Sequence, residues 1–270
     1  MNTNKKRNAL LTILVVIAIF IASYLTGELF SGVSNTFLAD FLLKLKSAAL
    51  AVLGAIIVKK VWIYKRFDGA VLKNSWATGI PELVIGVASL AAFLAEKRSF
   101  TARPIDIVFF VLEMICVGIY EETLFRGLLQ NAFHEIFGED TVKKVVLAAV
   151  CAGVFFGLLH LTNALDPNIK LSSAAVQALS ACGAGIFYGA VYYRTGKNLW
   201  YCVLIHALHD AAIFLAQGAL SGANSADVIT QSSQGSIGML VGQTVVYAAL
   251  GLFLLRKKKV EPLLEKAEAA

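Results

Sequence analysis

Charged residues are scarce in this chain, since Asp, Glu, Lys and Arg make up only 16% of its 270 residues. Soluble domains hold about a quarter of such residues. The hydrophobic fraction is 58% and the mean hydropathy is +0.72. This shortage of charge excludes a soluble globular domain. We therefore predict an all-α protein, a polytopic transmembrane bundle of about eight helices.

Cysteine is scarce, and recognisable metal-binding motifs are lacking. The cysteines are isolated within apolar runs, no CxxC spacing occurs, and the zinc-binding pattern HExxH is absent. A zinc site built on thiolates is therefore not expected. We interpret four residues as small hydrophobic side chains of the interior, namely Cys116, Cys151, Cys182 and Cys202.

Basic residues outnumber acidic ones, which gives a net charge of +6 and an isoelectric point near 9.1. In a soluble protein this balance would suggest a nucleic-acid partner. Here Lys and Arg lie at the ends of apolar segments, which is the cytoplasmic bias of membrane proteins. We therefore expect membrane lipid as a partner and no nucleic acid.

Eight apolar segments are long enough to be membrane helices. Eight crossings place both termini on one side, and because both carry basic clusters, we predict that both are cytoplasmic. Lys97, Arg98 and Arg103 do not fit, since this count places them outside together with the loop 220–236. The last dozen residues are polar and predict an exposed tail. The predicted helices cover residues 9–25, 41–64, 81–95, 104–137, 144–161, 172–193, 199–216 and 237–255.

The fourth segment contains three formal charges, in Glu121, Glu122 and Arg126. Charge at membrane depth costs about 3 kcal/mol per residue, so it is kept where it is paired or functional. Glu122 and Arg126 are i and i+4 on a helix and can form a pair. Glu121 is turned about 100° away. We expect one structurally neutralised carboxylate and one that is free to react.

Histidine is rare, and three of the four histidines lie within predicted membrane helices or near their ends. His160 ends one apolar helix, while His206 and Asp210 are i and i+4 on another. Polar side chains on three separate helices favour a site over simple hydrogen bonding between helices. His209 is interpreted as a packing or supporting residue, and His134 as a residue at the membrane interface.

Hydrolysis of an amide requires an activated water, a base and a donor for the oxyanion. One carboxylate with two imidazoles can bind Zn²⁺ with an open position for water. Alternatively, Glu121 can deprotonate water directly while the histidines orient it. Intramembrane Glu, His and Asp also form proton or cation pathways in transporters, but we find no internal repeat of the transporter type. A third alternative is a non-catalytic membrane protein.

The three motifs together resemble the CPBP family of intramembrane proteases, which includes CAAX prenyl endopeptidases and the Abi proteins of bacteriocin processing and immunity. The family pattern is EExxxR, FxxxH and HxxxN or HxxxD on separate helices. Residues 121–126, 156–160 and 206–210 match it in this order, within a resemblance that covers residues 105–214.

The resemblance implies proteolysis near the membrane, with catalytic residues Glu121, His160, His206 and Asp210. Support would come from Glu122, Arg126 and Phe156, and a metal such as Zn²⁺ would use Glu121, His160 and His206. Many members have asparagine where Asp210 stands, and an ionised aspartate cannot donate to an oxyanion. Asp210 would then be protonated, orient His206 or bind metal.

The resemblance also divides the chain and suggests its substrates. Residues 1–103 would be N-terminal transmembrane helices, 104–217 the catalytic core, and 218–270 the last membrane helix with a polar cytoplasmic tail. The substrate would be a peptide or membrane-protein segment, including lipidated ones, in a bacterial plasma membrane. The alternatives are a bacteriocin-immunity protein without catalysis and a proton- or cation-coupled transporter.

Overall fold

The structure is a computed structural model that describes residues 3–64, 73, 75–95, 101–223, 227–228, 230 and 237–268. These residues form helices and connecting turns, without a strand among them. The α-helices are α1 (Thr3–Leu25), α2 (Thr36–Ile57), α3 (Ile80–Ala95), α4 (Pro104–Glu122), α5 (Asn131–Phe137), α6 (Val142–Leu159), α7 (Leu171–Arg194), α8 (Leu199–Ala216), α9 (Ile237–Leu254) and α10 (Lys257–Glu268).

The polytopic all-α prediction is confirmed. Each of the eight predicted segments overlaps a helix of the structure, although α2 begins at Thr36 and ends at Ile57, before the predicted end at residue 64. Within the described part of the chain, five helical stretches are long and apolar enough to cross a membrane, and Val241–Leu254 is a shorter apolar helix. The five are Asn4–Leu25, Trp76–Ala95, Val142–Leu165, Leu171–Arg194 and Leu199–Ser221.

The fourth predicted helix is one continuous rod with a widened middle. Pro104 occupies its first turn, where a missing N–H costs nothing. A π-helix, Thr123–Gln130, joins α4 to α5 directly after Glu122. Gly138 ends the rod with φ +88°, a backbone conformation that glycine adopts easily. π-Helical turns are rare and frequently mark functional sites.

Small residues bring α6 and α7 into backbone contact, as the glycine-rich sequence of these helices suggests. A Cβ atom added at Gly185 would lie 2.7 Å from the Cα of Gly153 and 3.1 Å from the Phe156 ring. On its other side α7 meets α9, where a Cβ at Gly183 would lie 2.5 Å from the carbonyl oxygen of Thr244. Such contacts hold membrane helices together by close packing.

The C-terminal segment differs from its prediction as an exposed polar tail. It forms α10, and Val260 on this helix is completely buried. Val260 and Leu255 belong to a small apolar cluster with Val145 and Tyr193, and Arg194 donates to the carbonyl oxygen of Lys259 at 2.8 Å. The short apolar residues among the charges therefore attach this helix to α6 and α7.

Two further expectations concern the cysteines and His134. All four cysteines are free, and Cys116 and Cys202 are buried, as expected of small hydrophobic side chains. His134 is buried within the protein with 4% of its surface exposed, and its position at the level of the membrane interface stays a prediction. Lys97, Arg98 and most of the loop 220–236 lie outside the described residues, and the topology and three-part division stay predictions.

The contact between α6 and α7 allows a test of stability. Gly185→Ala should destabilise the protein by about 1–3 kcal/mol, because the new methyl group must displace backbone. Gly242→Ala on α9 is the matched control, since its Cβ meets nothing within 4 Å. Thermal unfolding in detergent measures both variants. Equal midpoints for the two would contradict the packing described here.

Candidate active site

Glu122 is the last residue of α4, and its side chain is completely buried. Its Oε1 atom lies 3.1 Å from Arg126 Nη1 and 2.6 Å from His206 Nδ1. Because a carboxylate oxygen can only accept, the proton on Nδ1 of His206 points at Glu122. The predicted pair of Glu122 and Arg126 is present, and it also fixes the orientation of the imidazole on α8.

Arg126 is held by more than its ion pair. Its guanidinium carbon lies 4.7 Å from the ring centroid of Phe156 and 5.2 Å from that of Tyr188. Its Nη2 donates to the carbonyl oxygen of Gly185 at 3.4 Å. Aromatic faces attract a cation, most strongly where water is excluded. The two rings therefore compensate part of the hydration that this buried charge has lost.

His206 presents its second ring nitrogen to two other carboxylates. Nε2 lies 3.5 Å from Glu121 Oε2 and 3.6 Å from Asp210 Oδ2. The side chains of Glu121 and Asp210 are 20% and 21% exposed, whereas that of Glu122 is not exposed at all. Tyr188 stacks on the imidazole with centroids 4.9 Å apart. One edge of His206 is thus fixed in the interior, and the other faces groups that water can reach.

His160 lies at the end of α6 and is oriented by its own helix. Its Nδ1 donates to the carbonyl oxygen of Phe156 at 2.8 Å. The Phe156 ring contacts both imidazoles edge-on, with centroids 4.7 Å from His160 and 6.0 Å from His206. Phe156, a predicted supporting residue, therefore contacts both imidazoles of the candidate site.

The two imidazoles share one arrangement. In each, Nδ1–H is held by an oxygen acceptor, a main-chain carbonyl for His160 and a carboxylate for His206. A hydrogen bond of this kind fixes the tautomer and leaves Nε2 for chemistry. As a lone pair, Nε2 accepts a proton or binds a metal, and as an N–H it donates to an anion.

The expected zinc ligands are not gathered around one point. In the part of the chain that the structure describes, no group of three or more His, Cys, Asp or Glu side chains is placed to bind one metal ion. Glu121, His160 and His206 therefore do not form a ready three-ligand site. Zinc binding stays a prediction, and the chemistry below is derived without it.

A further carboxylate of this region, not predicted from the sequence, is Glu82 on α3. Its Oε2 accepts from Nδ1 of His209 at 2.5 Å, and both side chains are buried. Tyr188 contacts both imidazoles of α8, stacked on His206 and edge-on to His209. Tyr247 of α9 also contacts His209 edge-on. A lone acid within an apolar helix was the available signal.

The pair of Glu82 and His209 can be tested by a double-mutant cycle. Glu82→Leu leaves a buried imidazole without its partner and should cost about 3–5 kcal/mol. Adding His209→Leu should recover most of that loss, because both polar groups are then absent. The free energies of unfolding of Glu82→Leu, His209→Leu and the double variant, measured in detergent, give the coupling between the two side chains. Additive effects would show that the two side chains do not stabilise each other.

Comparison with known proteins identifies the segment that contains these residues. Residues 103–212 match the model of the Rce1-like family, the type II CAAX prenyl endopeptidases. No significant match was found among curated proteins. The matched segment begins just before α4 and ends two residues after Asp210, so it includes all three motifs. The resemblance seen in the sequence is thus confirmed over this segment: residues 103–212 are similar to the Rce1-like family of type II CAAX prenyl endopeptidases.

Proposed function

We propose that this protein is an intramembrane endopeptidase that hydrolyses a peptide bond with Glu121, His160, His206 and Asp210. Its family supports a CAAX-type protease in general. The observation that carries the assignment of residues is the environment of His206. Its Nδ1 is held by buried Glu122, while its Nε2 faces the accessible carboxylates of Glu121 and Asp210.

Glu121 is the general base of this mechanism. Its distance of 3.5 Å from Nε2 of His206 is long for a direct hydrogen bond, and a water molecule beside the pair can contact both groups. Glu121 accepts a proton from this water as the oxygen attacks the carbonyl carbon. The same proton then passes to the amide nitrogen as the carbon–nitrogen bond breaks. Glu121 is thereby regenerated as a carboxylate.

The imidazoles stabilise the oxyanion that forms during the attack. To donate from Nε2, His206 must be an imidazolium, and Glu122 and Asp210 both lie where they stabilise its positive charge. Asp210 thus acts through His206 as a carboxylate and need not donate a proton itself. His160, like His206, supplies a second donor from Nε2 as an imidazolium, because its Nδ1–H is already donated to the carbonyl oxygen of Phe156.

The substrate we propose is a peptide or a membrane-protein segment at the membrane surface, with a lipidated C-terminal tail as one class. The host membrane would be a bacterial plasma membrane, with both termini in the cytoplasm. A bacterial host favours precursor peptides as the substrate class. An immunity protein without catalysis is the competing function, and it predicts no cleavage at all.

Glu121→Gln should lower the rate of peptide cleavage by at least about 100-fold, because the water loses its base. Folded yield should not change, since the side chain is partly exposed and its neighbour Glu122 makes the buried pairs. Purified protein in detergent, incubated with prenylated and unprenylated peptide libraries, provides the measurement. Full activity of this variant would overturn the catalytic assignment.

The same assay with a chelator tests the predicted zinc. Cleavage that is lost on chelation and restored by Zn²⁺ would establish a metalloprotease. Cleavage that is indifferent to chelator, in protein with negligible metal content, would establish glutamate-activated water. His160→Ala should abolish cleavage in either case without unfolding the protein.

Glu122→Gln should lower both folded yield and activity, in contrast to Glu121→Gln. The change removes the charge that neutralises Arg126 and orients His206, and breaking a buried pair costs about 3–5 kcal/mol. Yield after gel filtration and cleavage per folded molecule separate the two effects. A normal yield for Glu122→Gln would mean that this carboxylate has no structural role.

A further inference from the structure

A cavity lined by several polar and charged residues lies away from the active site, at the C-terminal end of the rod that carries Glu121 and Glu122. Its volume is about 360 Å³, and the residues that line it include Lys5, Trp62, Asn131, His134, Glu135 and Lys197. His134 is twelve residues beyond Glu122 on the rod formed by α4 and α5. At about 1.5 Å per residue, the two positions are about 18 Å apart.

The walls of this cavity contain hydrogen-bonding groups that lack partners. His134 is 4% exposed, and neither of its ring nitrogens has a partner among the described residues. The Nδ2 atom of Asn131 donates to three oxygens, but its Oδ1 has no donor. Glu135 binds Lys60 through Oε1 and leaves Oε2 without a partner. Buried polar groups are normally satisfied, so this set points to a ligand.

The unsatisfied groups define what the ligand must offer. Asn131 Oδ1 and Glu135 Oε2 can only accept, and a neutral imidazole accepts through one nitrogen. The ligand must therefore bring several N–H donors, and the carboxylate favours a positive charge on them. A primary ammonium group fits this requirement. The indole of Trp62 can also attract such a cation.

The position of the cavity favours a lipid as the source of that ammonium. It lies where α1 begins, α5 ends and α7 is followed by Lys197, which pairs with Glu139 at 2.7 Å. Basic residues and an exposed tryptophan at the ends of membrane helices are typical of the headgroup region. Lys5 and Lys197 can face a lipid phosphate while the ammonium group enters the cavity.

We infer that this cavity binds a phospholipid whose headgroup carries a primary ammonium, such as phosphatidylethanolamine. The ammonium group donates to Asn131, His134 and Glu135, and the phosphate lies near the two lysines. Trimethylation of the same headgroup, as in phosphatidylcholine, removes every N–H donor and retains the charge. The comparison of these two lipids therefore isolates the hydrogen bonds.

Native mass spectrometry of delipidated protein in detergent, titrated with lipids of identical acyl chains, tests the inference. Phosphatidylethanolamine should bind about tenfold more tightly than phosphatidylcholine, which corresponds to the loss of one hydrogen bond to a charged group. Phosphatidylglycerol should also bind more weakly, and free phosphoethanolamine should compete poorly. Equal affinities for the two lipids or a preference for phosphatidylglycerol would overturn the inference. Tight binding of free phosphoethanolamine would also overturn it, and so would the absence of any bound lipid, which would mean that water alone fills the cavity.

A pair of variants locates the effect in the cavity. His134→Phe should reduce the preference for phosphatidylethanolamine to about twofold or less and should fold normally, because its ring nitrogens have no partner to lose among the described residues. Glu261→Gln on α10 changes a charge outside the cavity and should keep the full preference. Retention of the preference in His134→Phe, or equal losses in both variants, would overturn the inference. No arm requires proteolysis, so failure of the proposed function would leave the result intact.

Discussion

A single buried carboxylate, that of Glu122, determines how the centre of this protein is arranged. An ionised carboxylate in the interior of a membrane protein requires partners. Arg126 supplies the charge and His206 the hydrogen bond, so two helices meet at one oxygen atom. The arginine in turn requires two aromatic rings and the carbonyl of Gly185. The close contact of α6 and α7 places that carbonyl, and hence the packing of small residues supports the same charge.

Two neighbouring residues of the sequence have opposite environments in this arrangement. Glu122 has no exposed surface, whereas the side chain of Glu121 is 20% exposed and lies near Nε2 of His206. The difference follows from helix geometry, since successive residues point about 100° apart. One carboxylate can therefore hold the imidazole still while the other remains within reach of water. A single turn of helix thus supplies one buried carboxylate and one that water can reach.

The sequence predicted correctly those features that depend on residues close together in the chain. The Glu122–Arg126 pair follows from i,i+4 spacing, and the apolar segments predicted the helices that the structure contains. It did not reveal that His206 uses Nδ1 for Glu122 or that Glu82 meets His209, because these depend on the rotation of helices that are distant in sequence. The attachment of α10 was missed for another reason: Val260 is one apolar residue among lysines, and only the facing residues of α6 and α7 make it buried.

The separation of Glu82 from its partner has a consequence for how the protein is made. His209 follows Glu82 by 127 residues. At about 5–20 residues per second, synthesis of that stretch takes roughly 6–25 seconds. During this interval α3 can already have left the translocation machinery, although the helix that carries His209 has not yet been made. Until α8 arrives, the side chain of Glu82 therefore lacks the imidazole that it contacts in the folded protein.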